Sequence, residues 1–174
     1  FPIFDSAGRT IAFGGRVMGQ GEPKYLNSPE SEIFNKRRNL YGMSLAKKSR
    51  RNYFLIVEGY MDVLSLHQAG FDNAVASLGT ALTKEQSMLI KRYADQVVLC
   101  YDSDGAGTNA ARRAIPILEE AGLKVKVIRV PGAKDPDEYI KENGAEGFEK
   151  NCNKASEIAK NVTLDLIKEI KLNL

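Results

Sequence analysis

From residue 53 onward the chain alternates short apolar runs with stretches of helical periodicity. The runs cover residues 53–57, 74–77, 97–101 and 124–130, each rich in β-branched or aromatic side chains, and read as strands. Between them lie helical patterns over 60–69, closed by Gly70, over 84–94, opened by a Thr83/Gln86 capping-box pair, and over 105–121, closed by Gly122. In the third, Ala111, Ala114, Ile115 and Leu118 share a face, and Pro116 is expected to kink it. Such alternation predicts an α/β fold with a parallel four-stranded sheet flanked by helices.

The first fifty residues follow another rhythm. Residues 3–18 read as a β-hairpin around Ser6-Ala7-Gly8-Arg9, followed by a polar loop over 19–29 and a helix over 31–48 interrupted near Gly42. At the other end, Ala155, Ile158, Ala159, Val162, Leu166 and Ile170 fall on one face of a final helix over 155–171. The expected division is an N-terminal extension over 1–52, an α/β domain over 53–150 and a helical segment over 151–174.

Chemistry enters through three packets of acids, each just past a predicted strand: Glu58 with Asp62, Asp102 with Asp104, and Asp135 with Asp137. Parallel sheets gather the carboxyl ends of their strands along one edge, so the packets should meet there. Their meeting requires the first, third and fourth strands to be neighbours, which gives the order 2-1-3-4. Singly, each packet has an ordinary explanation as acids at a helix start, where they complement the helix dipole. Three together form a self-repelling cluster that hard divalent cations relieve, pointing to Mg²⁺ or Mn²⁺ and phosphate chemistry. The glycines after Asp104 are expected to let the backbone approach a ligand or metal closely.

Charge strengthens this picture. The net charge of +3 is modest, but residues 36–51 hold seven cations, Lys36, Arg37, Arg38, Lys47, Lys48, Arg50 and Arg51, and no acid. A positive surface beside a carboxylate cluster suits a polyanionic substrate, although a basic run read alone is more often a solvated face. Cys100 and Cys152 are far apart and at no metal-ligand spacing, so neither a disulfide framework nor a zinc site is expected, and a reducing cytoplasm is the default. No apolar stretch is long enough to span a bilayer. His67 and the tyrosines are assigned to packing. With 174 residues and 43% hydrophobic content the chain can bury one domain core, and its opening on a strand-like run without Met reads as a segment of a longer protein.

Glu58-Gly59-Tyr60-Met61-Asp62, Asp102-Ser103-Asp104-Gly105 and Asp135-Pro136-Asp137 together resemble the Toprim domain shared by primases, type IA and type II topoisomerases and some nucleases. Phe13-Gly14-Gly15-Arg16, Pro23-Lys24-Tyr25-Leu26-Asn27 and Leu40-Tyr41-Gly42 are similar to the stretch that precedes Toprim in bacterial DnaG-type primases. One departure is Ser103, where glycine is usual. The resemblance implies a DNA-dependent RNA polymerase that makes short primers by metal-assisted nucleotidyl transfer. It implies Glu58, Asp102 and Asp104 as catalytic acids, with Asp62, Asp135 and Asp137 completing the metal set. Arg16, Lys24, Asn27 and Lys36 match positions lining the nucleotide and nucleic-acid groove.

The implied partners are a single-stranded DNA template, ribonucleotide triphosphates, the RNA/DNA hybrid and a replicative helicase, the last through a C-terminal domain outside this chain. Because the zinc ribbon and half of the polymerase core also lie outside it, the segment alone is expected to bind metal and synthesise little. A metal-dependent Toprim nuclease and a non-catalytic nucleic-acid-binding module stand as alternatives.

Overall fold

The computed structural model describes residues 1–172, with side chains as far as Ala155. Two sheets organise the chain. The first is antiparallel: β1 (Pro2–Phe4), β2 (Thr10–Arg16) and β3 (Tyr25–Asn27), in that order. Asp5 closes the β1–β2 turn by accepting the backbone N–H groups of Ala7 and Arg9, and Gly8 supplies the positive φ of 88°. The third strand lies inside the expected polar loop. Only three residues long, it shows no alternation of its own, and it exists because β2 offers Gly14, Gly15 and Arg16 as partners for Asn27, Leu26 and Tyr25.

The second sheet is parallel and consists of β4 (Phe54–Val57), β5 (Ala74–Ala76), β6 (Gln96–Leu99) and β7 (Lys124–Val127), in the order β5-β4-β6-β7. This is the expected 2-1-3-4 order, with its switch point between β4 and β6. Successive residues of the central strands face opposite layers. Leu55, Val57 and Val98 point into a core with α2 (Tyr60–Gln68) and the first part of α5 (Pro136–Leu172). Phe54, Ile56, Val97 and Leu99 point into the other, formed with α1 (Met43–Ala46), α3 (Lys84–Lys91) and α4 (Gly105–Glu120). No helix among the described residues is long and apolar enough to cross a membrane.

The predicted helix over 31–48 is reduced to the single turn of α1. Local side chains capture its backbone groups first: Ser31 Oγ accepts from Phe34 N, Glu30 Oε1 from Lys36 N and Asn35 Oδ1 from Arg37 N. The segment then becomes a strap across α3. Buried Gln86 donates Nε2 to the carbonyls of Lys36 and Asn39 at 2.9 and 2.8 Å, while its Oε1 accepts from Thr83 N to complete the expected capping box. Tyr41 then bridges to Ala76 at the sheet edge.

Other expectations are met or refined. α4 runs unbroken from Gly105 to Glu120 with Pro116 on its exposed side. Gly144, at φ 68° and ψ 178°, breaks α5 into two helices, so the final helix begins after that kink, ahead of the expected residue 155. The apolar face assigned to Ile158 and beyond lies outside the described side chains. His67 Nε2 hydrogen-bonds the Ala74 carbonyl at 2.9 Å, a structural role, and both cysteines are free and buried.

Candidate active site

The carboxyl ends of β4, β6 and β7 open onto a cavity of about 310 Å³, roofed by β2 and β3 of the other sheet. Its floor carries Glu58, Asp62, Asp102, Asp135 and Asp137; its roof carries Arg16, Lys24 and Asn27. Acids and cations from opposite ends of the sequence thus share one space. Arg16 and Lys24 also line a neighbouring cavity of about 660 Å³ formed with the β2–β3 loop. Lys36 lines neither; its backbone is held against α3.

Each packet is placed by ordinary local chemistry. Glu58 stands directly after β4 and accepts the Asp102 N–H at 3.0 Å, tying the first strand end to the third. Asp62, 7% exposed in the first turn of α2, accepts the Gly59 N–H at 3.1 Å. Asp104 caps α4 by accepting the Gly107 N–H at 2.8 Å and does not line the cavity. Asp135 caps α5 through the Glu138 N–H, whereas Asp137 accepts from Ser65 and pairs with Lys141 at 2.6 Å. The helix-start reading is therefore met, and it leaves room for a role at the site, because a capping oxygen leaves the carboxylate's other lone pairs free.

Crowding of these acids shows in their proton affinities. Burial raises the Asp62 carboxyl to about 7, with the Asp135 charge adding to it and the Gly59 hydrogen bond opposing it. Asp102 is raised to about 6 by burial and then by Glu58 and Asp135, while Lys134 pulls it down. Glu58 is raised by burial against the Asp102 N–H bond. Asp137 goes the other way: partial burial pushes it up, but the Lys141 and Ser65 hydrogen bonds and the charges of Lys141 and Arg16 outweigh that.

A pH dependence follows. Asp62 is protonated in both folded and unfolded chains below about pH 4, and as pH rises toward 7 the folded chain must hold a charge that burial disfavours. Asp62 should therefore remove on the order of 4 kcal/mol of metal-free stability between about pH 4 and pH 8. Asp102 and Glu58 act in the same direction. Urea unfolding with chelator present should show stability falling over this range, and Asp62→Asn should flatten the fall.

Two residues at the site escaped the sequence reading. Lys134 lines the cavity beside the acids and its carbonyl accepts the Ser103 N–H at 2.9 Å, so β7's loop clasps the loop after β6. The signal was a cation directly preceding the third packet. Tyr60, assigned to packing, is buried as expected, yet its hydroxyl donates from the start of α2 to Asn27 Oδ1 in β3.

Gly107 has a role within the protein itself: the atoms it admits are the protein's own. A Cβ there would lie 2.2 Å from the Asp102 carbonyl oxygen and 2.8 Å from Glu58 Oε1. Gly107→Ala should force α4 away from the strand ends at a cost of about 1–3 kcal/mol or more, readable as a lowered urea midpoint. Gly105, with open space around its Cβ direction, should accept Ala far more easily.

Comparison with known proteins agrees with this geometry. The Toprim-like family matches residues 55–140, and the N-terminal domain of the DNA primase catalytic core matches residues 1–47. The DNA primase of Clostridium acetobutylicum is 56% identical over 149 residues, 85% of this chain. The chain belongs to the DnaG-type DNA primase family.

Among solved structures of DnaG-type primases, the zinc-binding and RNA polymerase domains of the Aquifex aeolicus primase superpose with a TM-score of 0.84 at 43% identity, covering 88% of this chain and 39% of that one. A DnaG primase catalytic domain bound to single-stranded DNA superposes at 0.82 with 44% identity, covering 89% and 50%. The chain spans about a quarter of the length of the Clostridium primase, 25%. The α/β architecture matches that of the solved DnaG catalytic cores.

Proposed function

We propose that this chain forms the nucleotidyl-transfer centre of a DNA primase, which joins ribonucleotide triphosphates into short RNA primers on a single-stranded DNA template. The observation that carries this reading is the shared cavity, with Arg16 and Lys24 on one wall and Glu58, Asp62, Asp102 and Asp135 on the other. A triphosphate needs both: cations for its own charge, and acids to hold the metal that travels with it.

The acids suit Mg²⁺ or Mn²⁺. Their donors are all hard oxygens, and the raised affinities of Asp62 and Asp102 for protons, due first to burial and then to neighbouring carboxylates, mark negative charge that a dication would relieve. Among the described residues no group of three or more His, Cys, Asp or Glu side chains is arranged to hold a metal ion. Mg²⁺ itself keeps several waters and uses one or two carboxylates together with substrate phosphates. Glu58 and Asp102 would be the principal ligands, with Asp62, Asp104, Asp135 and Asp137 supporting them. Bound there, the metal supplies Lewis-acid stabilisation of charge on the phosphates.

The protein's own part is positioning and electrostatics. Arg16 and Lys24 hold the triphosphate across the cavity, and Lys134 offers a third cation on the acid side. A 3′-hydroxyl then attacks the α-phosphorus as pyrophosphate departs in line. Lys141 and Ser65 keep Asp137 ionised throughout. Lys36, outside the cavity, joins Arg37, Arg38, Lys47, Lys48 and Arg50 in attracting template or RNA/DNA hybrid phosphates without sequence preference, whereas Arg51 is paired with Glu149.

We assign residues 1–52 to the primase core's N-terminal extension, 53–150 to the Toprim domain and 151–174 to a helical segment. In the full-length cytoplasmic protein, a replicative helicase is the expected partner through a domain outside this chain.

The primase-type segment over residues 1–47 supports joining over cutting. The test gives the full-length protein single-stranded DNA, Mg²⁺ and ribonucleotide triphosphates, with a labelled RNA in a separate reaction. Template-dependent RNA products are expected; metal-dependent RNA cleavage without incorporation would replace primase by nuclease.

A further inference from the structure

Asn27 and Tyr60 connect the sheet that carries the cations to the sheet edge that carries the acids. We propose that they form a strut which positions Arg16 and Lys24 over the carboxylates, and that Asn27 acts through this strut rather than as a contact to nucleotide. The inference deepens the nucleotidyl-transfer reading and rests on it.

One side-chain amide joins three pieces of chain. Asn27 pairs with Gly14 in the β2–β3 ribbon, two residues before Arg16 and three after Lys24. Its Oδ1 accepts from the Tyr60 hydroxyl, and its Nδ2 donates to the Leu78 carbonyl at 3.1 Å. Tyr60 lies midway between Glu58 and Asp62, and Leu78 lies between Ser77 and Gly79, both on the cavity wall. Both ends of the amide are thus committed inside the protein.

Packing holds Tyr60 in place independently of this bond. Its ring is 4% exposed and meets those of Phe1, Tyr25 and Tyr41 at centroid distances of 5.1, 5.9 and 4.6 Å. Gly14 is required beside it, because a Cβ there would come within 2.8 Å of Tyr60 Cε2 and 3.0 Å of Asn27 Oδ1. A tyrosine hydroxyl is protonated at neutral pH, so it donates this bond. The ring anchors; the hydroxyl reaches the ribbon. Removing only the hydroxyl should leave the fold intact and free Asn27, and with it the register of the cations above the acids.

The test compares Tyr60→Phe, Asn27→Ala and the double variant in the full-length protein, with Tyr41→Phe as a control that loses a hydroxyl from the same aromatic cluster. Primer synthesis is measured with nucleotide binding to a non-hydrolysable ribonucleotide triphosphate and with amide hydrogen exchange. Each single variant should lower kcat roughly tenfold or more, since small misplacements of reacting groups have effects of that order. Nucleotide affinity should fall to the same extent in both singles, because each frees the ribbon that carries Arg16 and Lys24, and the double variant should be no worse than Asn27→Ala, the signature of one shared interaction. Exchange should quicken in β2, β3 and residues 77–79 in both singles but not in Tyr41→Phe.

Tyr60→Phe with wild-type rate and wild-type exchange would overturn the strut. So would Asn27→Ala that weakens nucleotide binding while Tyr60→Phe does not, which would return Asn27 to direct contact. A wild-type protein that makes no template-dependent RNA would count against the nucleotidyl-transfer reading alone, because exchange reads the strut without activity.

Discussion

Glu58→Gln in the full-length protein should reduce primer synthesis by roughly a hundredfold or more while single-stranded DNA binding stays close to wild type. The carboxylate accepts the Asp102 N–H and faces Asp104 and Lys134, so it sits where strand ends, acids and cation converge. Glutamine keeps the shape and can still accept that N–H through its amide oxygen. Only the charge is removed. Fold and template affinity should therefore survive, whereas the site's ability to hold a divalent cation should not. Primer yield, filter or anisotropy binding of single-stranded DNA, and Mn²⁺ titration on one preparation give the three readings. Parental primer synthesis by a folded variant would reduce Glu58 to an acid at a helix start.

The second large effect is expected at Lys24. Lys24→Ala should lower nucleotide incorporation by about tenfold to a hundredfold, because a charge-assisted contact to phosphate contributes about 1–3 kcal/mol. Template binding should fall much less, since the basic run over 36–51 supplies phosphate contacts elsewhere. Lys24 lines both the carboxylate cavity and the larger cavity beneath the β2–β3 loop, so it can reach a triphosphate whose tail extends from one into the other. Equal losses of incorporation and template binding would make Lys24 a nucleic-acid contact instead.

These two residues also separate what a linear reading can and cannot supply. Glu58 was legible because its packet recurs with two others, each just past an apolar run, and parallel strand–helix alternation leaves strand ends only one edge to share. The order 2-1-3-4 followed from requiring the three packets to be adjacent. Lys24 was legible only through resemblance, since nothing in Pro23-Lys24-Tyr25 by itself says which sheet it will face.

Local sequence determined the elements whose stabilising groups lie within a few residues: the parallel strands with their alternating or wholly buried faces, the Thr83/Gln86 cap, the Asp104 and Asp135 helix starts, and the Gly8 turn. Tertiary structure decided the rest. β3 forms only because β2 lies beside it, and residues 31–41, whose first backbone groups local side chains capture, are fixed as a strap by Gln86 and Ala76, some fifty and thirty-five residues away. The same holds at the site. Asp104 turns to cap its helix while Asp102 faces the cavity, and Gly107 is needed for a carbonyl and a carboxylate of the protein itself. Asn27 is held by Tyr60 at the start of α2 and by Leu78 in the loop after β5. Hydrogen bonds and close packing between distant segments carry no periodicity along the chain, so they became visible only when the two sheets were brought together.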